Sequence, residues 1–230
     1  MNKYANFVGM TDNKTHIYFV PGLAASAAIF EFIRLPESTF EMHIIEWLIP
    51  ESAHESLEHY AQRMSKYVEF PNAVLVGVSF GGVMVQEMKK YVQPKQVIII
   101  SSIKNRNEMP RSMRFAQITN AHKLLPTTAF SNLEKYERFA FTNSIKSRIH
   151  LYKKYLSMRD PLYLPWAVDT IVNWTRTEID PEIIHIHGTD DFVFPVKYIK
   201  NFQKIERGTH VMIINKAQKI SAMLEKILNE

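Results

Sequence analysis

The chain has 230 residues, 46% of them apolar and 22% charged, so it can bury a core and is not an intrinsically disordered segment. It contains no cysteine, which excludes a disulfide framework, a thiolate metal site and a cysteine nucleophile. The net charge of +5 is uneven: 13 Lys and Arg face 5 Asp and Glu between Lys104 and Arg176, leaving 15 against 18 elsewhere. With no long basic run and no recognisable nucleic-acid module, nucleic acid is not an expected partner.

Met1–Met10 lacks a basic stretch followed by an apolar one, so no secretory signal is expected. The longest apolar runs, such as Val97–Ile100, fall far short of the roughly 18–20 residues of a membrane span. A soluble, cytoplasmic protein is the resulting expectation. Thr15–Val20 reads as a buried strand that runs into Pro21-Gly22, followed by a helical stretch over Ala24–Ile33. His43–Trp47 reads as a second strand. Ser52-Ala53-His54-Glu55 has the form of a capping box and predicts a helix to about Val68. Ala73–Gly77 is a third strand, Phe80–Tyr91 a helix and Gln96–Ser101 a fourth strand. From Ile103 to Glu178 the periodicity is helical, cut by Pro110, Pro126, Pro161 and Pro165. Strand signals return at Ile183–His187 and near Phe202–Ile205, and Lys216–Leu228 closes as an amphipathic helix. Short apolar runs alternating with helices predict a parallel sheet. The predicted organisation is a core of residues 1–102 and 179–230 with a helical insert over 103–178.

The seven glycines point to the chemistry. Gly77-Val78-Ser79-Phe80-Gly81 matches G-x-S-x-G between a predicted strand and a predicted helix, the setting of a nucleophile elbow. A serine hydroxyl needs a base, and the base needs an orienting acid. The expected chain order after the elbow is Ser, then Asp or Glu, then His. His187-Gly188-Thr189-Asp190-Asp191 follows a strand, and Asp191 is preferred to Asp190 as the acid, with Asp190 shaping the turn. His210 in Gly208-Thr209-His210 is the preferred base. His187 is read as a structural hydrogen-bonding residue, and His54, His59, His122 and His150 as surface residues on helices. An oxyanion hole needs two backbone N–H groups. Phe80, at a helix N-terminus, supplies one; Leu23, after Pro21-Gly22, supplies the other, with Gly22 turning the chain.

Together these segments resemble the α/β-hydrolase family: Phe19–Leu23 for the oxyanion loop, Gly77–Gly82 for the elbow, His187–Pro195 for the acid loop and Gly208–His210 for the base. The resemblance implies an α/β-hydrolase fold of about six mostly parallel strands, with the usual opening antiparallel strands missing or reduced to Asn6–Met10. It places a helical cap at 103–178. It further implies a serine hydrolase acting on a carboxylic ester or thioester, with catalytic Ser79, Asp191 and His210, backbone donors Leu23 and Phe80, and no metal or cofactor. Val168, Ile171 and Val172, near Trp166 and Trp174, suggest a cap helix across the site. The basic cap raises an acidic acyl carrier as a partner, met at Arg111 and Arg114. Two alternatives stay open: another chemistry on this scaffold (C–C or amide hydrolysis, acyl transfer), and a non-catalytic receptor.

Overall fold

In the computed structural model, which describes residues 13–124 and 153–230, the short apolar runs assemble into one sheet. Strands β1 (Thr15–Val20), β2 (Phe40–Ile44), β3 (Val74–Val78), β4 (Gln96–Ile100), β5 (Ile184–Gly188) and β6 (Gln203–Ile205) lie in the order β2-β1-β3-β4-β5-β6. Every pairing is parallel, with Val20 beside Gly77 and Val78 beside Ile100. The expected six-stranded sheet is therefore present.

Alternate strand residues feed two core layers, as the two-residue strand period requires. Tyr18, Leu75, Val97 and Ile99 face one side. There they meet Tyr60 and Met64 of α1 (Leu57–Ser65), Phe80, Met84 and Met88 of α2 (Phe80–Val92), and Trp166 and Ile171 of a helix at Tyr163–Val172. Ile17, Val76, Ile98 and Ile100 face the other side, against Ile220 and Leu224 of a C-terminal helix at Ala217–Leu228. Between these, Arg111–Thr119 forms α3, the helix at Tyr163–Val172 is α4, Met212–Asn215 forms the short α5, and the C-terminal helix is α6.

The chain runs from β1 outward to β2, then returns to β3 on the other side of β1. The strand order thus reverses between β1 and β3. In open parallel sheets, ligands bind in the crevice beyond the strand C-termini at such a switch point. The loops at that crevice begin at Pro21 and Ser79.

Three expectations need correction. The stretch Ala24–Ile33 is not a continuous helix: only Ala27–Phe30 makes a 3-10 turn, capped by Ser26. Ala24, at φ 62, breaks any regular helix before it starts. The second strand is Phe40–Ile44 rather than His43–Trp47, although the Ile45 N–H still donates to the Phe19 carbonyl at 2.9 Å. The cap of α1 is Ser56, which accepts from the His59 N–H at 3.1 Å. The proposed box at Ser52 is a separate turn, in which the Glu55 carboxylate reaches back to the Glu51 N–H at 2.6 Å and is held by Arg63 at 2.8 Å. Among the described residues of 103–178 there are helices and no strand. Residues 125–152 and Asn6–Met10 lie outside the described residues.

Candidate active site

Ser79 sits between β3 and α2 with φ 53 and ψ −117, a backbone conformation that a side-chain-bearing residue rarely adopts. The turn closes because its flanks are bare. A Cβ on Gly77 would run into the Gly81 carbonyl, and one on Gly81 would strike the carbonyl oxygens of Val20 and Pro21. The Ser79 backbone is pinned by its N–H to the Ile100 carbonyl at 2.9 Å and by its carbonyl, which accepts from Ser102 Oγ at 2.7 Å.

Beyond β5, Asp191 is buried, with 3% of its surface exposed. Its Oδ1 accepts the N–H groups of Val193 at 2.8 Å and Phe194 at 2.9 Å. Its Oδ2 lies 2.9 Å from His210 Nδ1, and His210 Nε2 lies 3.0 Å from Ser79 Oγ. An ionised Asp191 can only accept, so the His210 proton sits on Nδ1 and Nε2 is open to accept from the serine hydroxyl. Asp190 is exposed and accepts from its neighbour Thr189 Oγ1 at 3.0 Å, so it takes no part in this chain. The loops bearing Asp191 and His210 are clamped by contact of Gly188 with Gly208, where an added Cβ on Gly188 would overlap the Gly208 carbonyl.

Two buried histidines stand behind Asp191. His187 Nε2 is 2.8 Å from the Phe194 carbonyl, which can only accept, so that nitrogen carries the proton. His187 Nδ1 must then accept from His185 Nε2 at 3.1 Å. Burial holds both rings below the ordinary histidine range, His185 well below it. His187 thus holds the carbonyl of Phe194, the residue whose N–H holds Asp191.

The two predicted oxyanion donors flank Ser79. Phe80 N–H opens α2, where no intrahelical acceptor exists and the helix dipole favours negative charge. Leu23 lines the same cavity as Ser79 and His210. Gly22 is not in the left-handed region, whereas Ala24, two residues on, is. Gly22 instead lies against Ser79, where an added Cβ would sit 3.5 Å from the serine Cβ. A residue that sequence reading missed anchors this loop: Trp47 Nε1 donates to the Gly22 carbonyl at 2.8 Å. Its signal, a Trp after a strand, has no fixed spacing to the motif.

Ser79 and His210 open into a cavity of about 850 Å³. Val168, Ile171 and Val172 of α4 form part of its wall, so this helix does cross the site. His122 also lines it and is not a surface residue: it is 5% exposed, with Nε2 at 2.8 Å from Asp169 and Nδ1 at 3.0 Å from the Ala116 carbonyl. His54 and His59 are exposed, as expected; His150 lies outside the described residues. Much of the basic charge of this region is engaged within the fold. Lys104 donates to the Asn201 carbonyl, Arg106 to Gln117, Lys154 to Glu31 and Arg159 to the Leu156 carbonyl. Arg111 on α3 is exposed and Arg114 half-buried.

Among the described residues, two side-chain groups elsewhere have metal-ligand spacing, and none of their members lines the cavity. In His16, Glu41 and His43 the two imidazoles bond to each other at 2.9 Å; in Glu51, Glu55 and His59 the charge of Glu55 is met by Arg63.

No family model and no curated protein sequence matches the chain. Solved structures do. An enol-lactonase from Burkholderia xenovorans LB400 superposes with a TM-score of 0.66 at 14% identity, over 95% of this chain and 92% of that one. A structure from a study of carboxylesterases of Nitrososphaera gargenis gives 0.66 at 13% identity, over 94% and 90%. A non-heme bromoperoxidase, BpoC, from Mycobacterium tuberculosis gives 0.64 at 13%, over 94% and 92%. At such identities the likeness speaks for architecture, and it establishes that this chain has the α/β-hydrolase fold.

Proposed function

We propose that this protein is a serine hydrolase that cleaves a carboxylic ester or thioester through an acyl-enzyme on Ser79. The observation that carries the reading is the continuous chain Ser79 Oγ–His210 Nε2 at 3.0 Å and His210 Nδ1–Asp191 Oδ2 at 2.9 Å, at the floor of a cavity. Solved neighbours described as an enol-lactonase and carboxylesterases support the class of bond.

In the first half-reaction His210 Nε2 takes the Ser79 proton as Oγ bonds to the acyl carbon. The oxyanion accepts from the Leu23 and Phe80 N–H groups. The carbon–oxygen or carbon–sulfur bond then breaks, and His210 returns the proton to the leaving alcohol or thiol. Water repeats the sequence on the acyl-enzyme and frees Ser79. Asp191, held by two backbone N–H groups, orients His210 and steadies the imidazolium.

The test is turnover of a p-nitrophenyl ester panel by wild type and Ser79→Ala. The variant is expected to lose at least about 10³-fold in kcat. Retention of more than about a tenth of the wild-type rate would remove Ser79 from the chemistry.

A further inference from the structure

The cavity above Ser79 has a composition that selects its ligand. Among the described residues that line it there is no Lys, Arg, Asp or Glu. Its walls are aliphatic: Ile29 and Leu156 with Met113 of α3, Ile171 of α4, and Ile213 with Ile214 of α5. Its few polar groups largely have partners. His122 is bound to Asp169 and to the Ala116 carbonyl, and Tyr155 Oη donates to Glu31 at 2.6 Å. The other polar side chains among the described lining residues are those of Ser79 and His210, which take part in the proposed reaction, with Ser112 and Asn215.

A volume of about 850 Å³ lies toward the upper end of the roughly 300–1,000 Å³ of small-molecule pockets. An acetyl group would leave most of it unfilled. A carboxylate buried there would lose its hydration and find no cation among the described lining residues in return, which burial penalises heavily.

We infer that the substrate of Ser79 carries an uncharged, extended aliphatic acyl group seated between α3, α4 and α5, and that acyl groups ending in a carboxylate are rejected. The inference rests on the hydrolase reading for its chemistry, but ligand selection can be measured without turnover. Val168 of α4 is partly exposed and faces the cavity, so its enlargement shortens the seat without opening the core.

The experiment titrates Ser79→Ala protein with methyl decanoate and with the monomethyl ester of decanedioic acid at neutral pH, in parallel with the Ser79→Ala, Val168→Trp double variant. Saturable binding of methyl decanoate is expected, at least about tenfold tighter than the charged ester, and weakened at least about tenfold by Val168→Trp. In wild type, kcat/KM for p-nitrophenyl esters rises with acyl length, by up to about fourfold per buried methylene. Equal affinity for the two methyl esters, a preference for the charged one or no saturable binding overturns the inference, whatever the turnover. Selective binding without Ser79-dependent turnover leaves the inference standing and removes the hydrolase reading instead.

Discussion

His187 is buried and does not touch Ser79 or His210, yet its hydrogen bond to the Phe194 carbonyl anchors the residue whose N–H holds Asp191. This makes it a positioning residue. His187→Leu removes the donor, lets the Asp191 loop relax and loosens the carboxylate against His210. A misplacement of about 1 Å at such a site costs on the order of 10²-fold, so kcat is expected to fall about 10- to 100-fold with KM little changed. His187→Gln keeps an N–H donor at the reach of Nε2 and restores kcat. A Leu variant with wild-type kcat would reduce His187 to a packing residue. The meeting of Ser79, Asp191 and His210 was legible in the sequence because motif spacing and chain order carry it. The contacts of Trp47 and His122 were not. Each depends on a partner distant in sequence, such as Gly22 for Trp47 and Asp169 for His122.

At the scale of elements, strand–turn–helix junctions position the site, and glycine works there by close approach rather than by backbone freedom. None of the six described glycines is left-handed; the positive φ values fall on residues such as Ala24 and Ser79. Gly77→Ala forces a Cβ into the Gly81 backbone, with the Gly82 nitrogen only 2.6 Å away. Gly22→Ala makes an ordinary 3.5 Å contact with the Ser79 Cβ. Overpacking against rigid backbone costs about 1–3 kcal/mol or more. Urea denaturation is therefore expected to show Gly77→Ala destabilised by at least about 2 kcal/mol and Gly22→Ala by less than about 1 kcal/mol. Equal losses would show that the elbow can yield. Strands β1, β3, β4 and β5 were legible because their apolar runs are buried on both faces. The register of β2 was not: Phe40 to Trp47 is apolar enough to pair in several ways, and only the bond from Ile45 to Phe19 and the neighbouring ladder choose one. The helix expected at Ala24–Ile33 failed because its apolar residues Ile29, Phe30 and Ile33 pack on the sheet from a 3-10 turn and its flanks.

The whole molecule keeps His185 and His187 uncharged inside the layer next to β6, and this couples its stability to pH. Burial lowers both pKa values in the folded state, while the unfolded chain titrates near the ordinary value of 6.5. Below that pH the unfolded state binds more protons, so stability is full above about pH 6.5 and declines as pH falls, by up to about 1.4 kcal/mol per pH unit for each such proton. His185→Gln keeps the donor to His187 and removes one titrating group. Its urea-unfolding free energy between pH 7.5 and 5.5 is expected to fall less steeply than that of wild type, by about one proton. Identical slopes would mean that His185 is not the buried neutral group described. Assembly of the whole molecule also brings residues separated by 131 positions, Ser79 and His210, to 3.0 Å, and in the proposed mechanism this contact activates the serine. Intact mass after incubation with a small fluorophosphonate, wild type beside Ser79→Ala, tests it most directly. One adduct on wild type and none on the variant is the predicted result; no adduct on either protein, or equal labelling of both, would contradict it.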